Sequence, residues 1–189
     1  MFIEVHRLMP FDLHSADGSI IMNHMIHDLD IVLHLVNSNI KKLSASGVSV
    51  VTPDHDMANV RLEFDNGCVV NLTASRISRH EMSKMRVFGY NSYVAIDFNK
   101  NSYEVVQHNR QNGRLSPIEL QQLLSGKVND HVSVFENSVA ESNRVKTELE
   151  LFLQSIKGNT RPVVSVSDAY QAMYIAQLIS EKISKNTLD

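Results

Sequence analysis

The stretch from Ser19 to Ser38 reads SIIMNHMIHDLDIVLHLVNS. Its apolar residues Ile21, Met25, Leu29, Val32 and Val36 recur every three or four positions, the period of one buried helical stripe. Asp17 stands where an N-cap belongs, and Asn37 to Asn39 close the run. A second stripe on the same segment is polar: Asn23, His27, Asp30 and His34, at spacings of four, three and four. This helix follows an alternating segment, residues 2–8 (FIEVHRL), that predicts a strand ended by Pro10.

Downstream the period changes to two. Strands are expected over 41–50, 57–64, 68–76, 83–89, 92–98 and 102–107, with turns at Asp65-Asn66-Gly67 and Tyr90-Asn91-Ser92. Connections this short imply antiparallel pairing, because a parallel crossover needs a dozen or more residues. Residues 108–130 are polar and loosely patterned, with Ser116-Pro117 able to start a short helix through Leu124. A further strand is expected over 131–140, then an amphipathic helix over 143–157 with Val145, Leu149, Phe152 and Ile156 inward and Gly158 as terminator. Ser165 with Asp168 forms a capping box for a final helix reaching Ile183, which presents Ala169, Ala172, Met173, Ala176 and Ile179.

The order predicts an α+β fold: a single large, predominantly antiparallel sheet with helices packed on one face. No internal repeat or linker divides the chain, so residues 1–189 are expected to form one domain. Apolar residues on both phases of some strands (Val48, Val50 and Val51; Val69, Val70 and Leu72) predict a partner on the other face.

The composition is that of an ordinary core-forming protein, with 43% hydrophobic and 21% charged residues. A formal charge of -3, with no basic stretch beyond Lys41-Lys42 and the spread Lys182 and Lys185, argues against nucleic acid as a partner. The lone Cys68 excludes an intramolecular disulfide and suits a reducing, cytoplasmic setting; at the start of a strand it is expected to be buried and inert. The N-terminus lacks an apolar signal region, and no apolar run approaches the roughly 20 residues of a membrane span. Only 7 glycines are present, and none is closer than thirteen positions to another. Both the G-x-G-x-x-G dinucleotide loop and the G-x-x-x-x-G-K-[ST] phosphate loop are therefore excluded.

His27 carries the sharpest chemical expectation, because histidine exchanges protons near neutral pH and a neighbouring carboxylate can orient its ring. Asn23 lies one turn before it, and Arg7, at the end of the first strand, is expected to line the same cleft. Arg76, with Arg79 and His80 at the end of the 68–76 strand, is a candidate for meeting an anionic substrate, with ordinary surface charge as the alternative. A metal site on His24, His27 and Asp28 ranks last, since the spacing departs from known zinc signatures. His55, between Asp54 and Asp56, reads as a solvated turn. Neither a G-x-S-x-G nucleophile elbow nor any other strong catalytic motif is present.

FIEVHRLMPF followed by IIMNHMIHDLDIVLHLV, then ANVRLEFDNGCVVNLTASRIS, MRVFGYNSYVAIDF and ELELFLQSIKGNTRPVVSVSDAYQAMYIAQLI, resembles in order and spacing the C-terminal domain of the Gfo/Idh/MocA oxidoreductases. The resemblance covers nearly the whole chain and is weakest over 108–130. It implies a substrate-binding and oligomerisation domain that works beside an N-terminal Rossmann domain holding NAD or NADP, on a sugar-like or polyol secondary alcohol. Neither the glycine loop nor the family's E-K-P segment occurs here. His27 matches the family's catalytic histidine, and Asn23 stands where the family carries an aspartate four residues earlier. An amide keeps hydrogen bonding but loses charge and proton transfer. The implied state is therefore a chain that binds no cofactor alone, is inactive alone and forms homo-oligomers through its sheet face. The alternative is a non-catalytic dimerisation or ligand-binding remnant of the same fold.

Overall fold

The computed structural model describes residues 1–13, 18–108, 121, 132–138 and 143–186. Asp17 and all of the expected 116–124 helix except Gln121 lie outside them. Eight strands form one sheet: β1 (Phe2–Leu8), β2 (Ile40–Val48), β3 (Met57–Phe64), β4 (Val69–Ser75), β5 (Met82–Phe88), β6 (Ser92–Asp97), β7 (Ser102–His108) and β8 (Val132–Ser138). Their spatial order is β2-β3-β4-β1-β5-β6-β7-β8. Accompanying them among the described residues are the helices α1 (Ile26–Val36), entered through a π-helical turn at Ile21–Met25, α2 (Arg144–Gly158) and α3 (Val166–Asn186). The α+β architecture and the mainly antiparallel sheet agree with the sequence reading.

One pairing departs from it. β4 and β5 are consecutive but do not pair, because β1 lies between them, parallel to β4 and antiparallel to β5. The segment from the π turn through β3 is the long crossover that a parallel pair requires. The first strand is thereby the centre of the sheet, and its C-terminal end opens directly onto the start of α1.

The strands alternate as half-buried strands should. Ile3 and Val5 of β1, Ala58, Val60 and Leu62 of β3, Val70 and Leu72 of β4 and Met85 of β5 point into one core. Met25, Leu29, Val32 and Val36 of the first helix meet them, each side chain contributing about 1.5–3 kcal/mol by burial. Ala172, Ile175, Ala176, Ile179 and Ile183 of α3 complete the layer. The buried stripe of α3 is thus rotated from the expected one: Ala169 and Met173 face solvent.

A larger correction concerns α2. Its stripe exists, but Val145, Leu149, Phe152 and Ile156 are 66%, 57%, 53% and 60% exposed, so they do not face inward. The helix is capped by Asn143, whose side chain accepts from the Lys146 N–H, and its left-handed terminator is Asn159 rather than Gly158. The sheet's open face is polar: Arg61 donates to Glu63 and Asn71, Lys84 pairs with Asp97, and Arg86 with Glu4. Its main apolar feature is the ring cluster Phe2, Phe88 and Tyr93. Val48, Val50 and Val51 are exposed at the margin, and Val70 and Leu72 belong to the core.

The loop after β2 is not a solvated turn. Asp56 is fully buried and accepts from the backbone N–H groups of Val50, Val51 and Thr52, from the Thr52 hydroxyl and from Arg76 Nε. Arg76 is itself 2% exposed and also donates through Nη1 to the Gly18 carbonyl at 2.9 Å. Gly18 adopts φ +87°, and a Cβ there would lie 3.0 Å from Asn23 Nδ2. The ion pair therefore fixes the bend that leads into the helix. Burial alone would push the Asp56 carboxyl up, but its hydrogen bonds prevail and hold it well below the usual carboxylate range.

Three expectations follow from this packing. Arg76→Met should cost about 3–5 kcal/mol in urea unfolding, because it strands a buried carboxylate. The unfolded chain takes up the Asp56 proton first as pH falls, so wild-type stability should decline below about pH 4, and Asp56→Asn should flatten that decline. An unchanged urea midpoint for Arg76→Met would contradict the first. Gly47→Ala should lower the thermal midpoint, at a cost of about 1–3 kcal/mol in stability, since its Cβ would meet His55 Cδ2 at 2.6 Å and Ile183 Cγ2 at 2.8 Å.

Candidate functional site

A cavity of about 470 Å³ opens where β1 ends and the helix begins. Arg7, Leu8 and Met9 line it from β1 and the residues after it, and Asn23, His24 and His27 from the helix. Glu81, Met82 and Ser83 come from the start of β5, and Phe98 and Asn99 from the β6–β7 turn. β1 pairs with β5 so that Arg7 stands opposite Ser83 and Leu8 opposite Met82. Asp97 holds the turn by accepting from the N–H groups of Asn99 and Lys100, each at 3.1 Å.

The cavity is anchored by an ion pair. Arg7 Nε donates to Asp28 Oδ2 at 2.8 Å and Arg7 Nη2 to Asp28 Oδ1 at 2.7 Å, a bidentate geometry. Asp28 is 2% exposed and adjoins His27, so the pair ties the end of β1 to the first turn of α1. The hydrogen bonds to Asp28 raise the Arg7 guanidinium pKa above its ordinary value. Both Asp28 oxygens are used by Nε and Nη2, and Nη1 makes no hydrogen bond among the described residues.

The two imidazoles differ. His27 is exposed and His24 partly buried, and neither makes a hydrogen bond among the described residues. Burial pushes the His24 pKa down, the positive charges of Arg7 and Arg76 and the neighbouring His27 push it further, and Asp28 only partly opposes them. Asn23 sits in the π-helical turn, a feature frequent at functional positions. The lining thus offers an arginine edge, two imidazoles and an amide. That is a set suited to hydroxyl groups.

The structure places Arg7, Asn23 and His27 on one cavity. Arg76 does not join them, being committed to Asp56 and the Gly18 carbonyl, and Arg79 and His80 are exposed elsewhere. The polar stripe of the helix divides: Asp30 and His34 line a second cavity of about 500 Å³ with Arg161, Asp168 and Gln171. There Arg161 donates to both Asp168 oxygens at 2.8 Å. The expected capping box is present, and the Ser165 hydroxyl and N–H together with Arg161 bring the Asp168 carboxyl down to about 2. A larger groove of about 660 Å³ lies on the open sheet face, but its Lys84 is spent on Asp97 and it contains no histidine. Among the described residues no group of three His, Cys, Asp or Glu side chains is arranged to hold a metal ion. Cys68 is buried and burial raises its thiol pKa.

Sequence reading missed the far wall. Ser83, Phe98 and Asn99 reach the cavity only because β5 pairs with β1, and no local pattern announces that pairing. His24 entered only as a metal ligand, although its position one turn from His27 was a usable signal.

Comparison with known proteins bears on the family and the fold. The family described as "Oxidoreductase family, C-terminal alpha/beta domain" matches residues 12–188. The UDP-N-acetylglucosamine 3-dehydrogenase of Acidithiobacillus ferrooxidans is 39% identical over 104 residues, 55% of this chain and 33% of that one. A solved structure of that enzyme superposes with a TM-score of 0.81 at 27% identity, covering 96% of this chain and 53% of the other. Levoglucosan dehydrogenase in complex with NADH and L-sorbose shares the fold, with a TM-score of 0.75 at 15% identity over 98% of this chain and 56% of that one. The chain spans about half the length of these solved relatives. No helix among the described residues is long and apolar enough to cross a membrane. The chain belongs to the Gfo/Idh/MocA oxidoreductases, as their C-terminal alpha/beta domain.

Proposed function

We propose that this chain is the substrate-binding part of an NAD(P)-dependent oxidoreductase acting on a secondary alcohol of a sugar, with a nucleotide sugar of the UDP-N-acetylglucosamine kind as the leading substrate. The observation that carries the reading is the cavity itself. Hydrogen-bonding groups from β1, the helix and β5 converge there beside a bidentate Arg7–Asp28 pair. The similarity to UDP-N-acetylglucosamine 3-dehydrogenase supports the substrate class.

Within the cavity His27 binds a sugar hydroxyl from the exposed end, and Asn23 supplies an amide donor and acceptor one turn away. Asp28 holds Arg7 so that its remaining N–H groups orient the ligand without leaving an uncompensated cation. The glycine spacing leaves no dinucleotide-phosphate cradle in this chain. In this reading the cofactor belongs to a partner Rossmann domain, and the chain alone is inactive. Association of copies through the open sheet face belongs to the same reading, with the Phe2, Phe88 and Tyr93 cluster as its apolar contact. Asn23 is the observation that favours the second reading, a ligand-binding or dimerising remnant.

UDP-N-acetylglucosamine should bind the purified chain in calorimetry or NMR titration, and His27→Ala should weaken it about tenfold, the worth of one good hydrogen bond. With NAD or NADP added, the chain alone should show no turnover; a steady rate would contradict the assignment of the cofactor elsewhere. Sedimentation velocity at micromolar concentration should give a dimer or larger, and a strictly monomeric species would remove the sheet-face association.

A further inference from the structure

We infer that His24, with Arg7, forms a hydroxyl-reading pair in the cavity: the imidazole accepts a hydrogen bond from the substrate alcohol while an Arg7 N–H donates to the same oxygen. The inference rests on the substrate-binding reading above and assigns the recognition of one hydroxyl to residues outside the Asn23–His27 pair.

The geometry supports it in three ways. His24 and Arg7 line the same cavity, from the helix and from the end of β1. His24 is only partly exposed and has no hydrogen-bond partner among the described residues, so a ring nitrogen is available where solvent is restricted. Arg7 is held in one orientation by Asp28, so the position of its free N–H edge is set before any ligand enters.

The charges around His24 favour an acceptor. Arg7, Arg76 and His27 press the ring toward its neutral form, Asp28 opposes them, and Glu81 lies farther along the same lining. A neutral imidazole keeps one unprotonated nitrogen that accepts, whereas imidazolium only donates. Arg7 cannot accept at all. The pair therefore matches a group that both donates and accepts, as an alcohol does. A fluorine can accept from Arg7 but offers no proton to the acceptor nitrogen of His24, and sites that hydrogen-bond a substrate hydroxyl reject analogues lacking it.

The test compares UDP-N-acetylglucosamine with its deoxyfluoro analogues, each carrying fluorine for one ring hydroxyl, on the full chain by NMR titration. One analogue should bind the wild type about tenfold more weakly than the parent. His24→Phe should bind the parent and that analogue equally, and His24→Gln, whose amide oxygen accepts, should restore the difference. As pH falls below 6.5, the ordinary histidine value, the wild-type difference should shrink while the His24→Gln difference stays. Discrimination that survives in His24→Phe, with parent binding intact, would overturn the inference and leave the substrate-binding reading standing. Equal binding of all analogues by the wild type would also overturn it. Absence of parent binding to the wild type would overturn that reading and the inference with it.

Discussion

The two hydrogen bonds between Arg7 and Asp28 join the centre of the sheet to the start of the helix that bears the site. Arg7 closes β1, the strand around which both halves of the sheet assemble, and Asp28 lies in the first turn of α1 beside His27. A buried carboxylate needs a partner of opposite charge, and a cation reaching into a cavity needs compensation that does not consume all its donors. Side-on bidentate pairing through Nε and Nη2 meets both demands. A second pair, Asp56 with Arg76, does the corresponding work behind the helix, where it holds Gly18 and the bend on which Asn23 rests. The cavity is thus framed by two ion pairs, and only the first presents free donors to it.

Much of the fold was legible because local periodicity and tertiary role coincide. The stripe Ile21, Met25, Leu29, Val32 and Val36 is helical by spacing and is buried in the structure. The Asp65-Asn66-Gly67 turn closes β3 to β4 as read, with Gly67 at φ +80° and its N–H donating to the Phe64 carbonyl. The central position of β1 was not legible. Short spacing between β4 and β5 looks like a hairpin, and only long-range pairing to β1 separates them. The amphipathic pattern of α2 announced a helix but could not say what its apolar side meets, since periodicity records that a face is apolar and not where it docks. Among the described residues that face remains uncovered.

The site was half legible for the same reason. Asn23 and His27 are one turn apart and could be paired from spacing, and Arg7 could be placed near them because a strand feeds straight into the helix. Arg76 shows the opposite case. An arginine at a strand end looks like surface charge or an anion contact, yet it is buried because Asp56, twenty positions earlier, had itself been read as solvated. Each residue's burial explains the other's, and neither is visible alone. Asp30 and His34 continue the helix's polar stripe by spacing but line a different cavity, because α3 and Arg161 stand beside the second half of α1.

The central claim is that sugar recognition takes place at the end of β1, between Arg7 and the two imidazoles. Histidine side-chain NMR during titration with UDP-N-acetylglucosamine tests it most directly, because the histidines among the described residues are spread over the helix, the sheet and the loops. The account predicts saturable shifts at His24 and His27 with His34 and His55 unmoved. Shifts confined to His34, or to histidines away from the helix, would place the ligand elsewhere and contradict it.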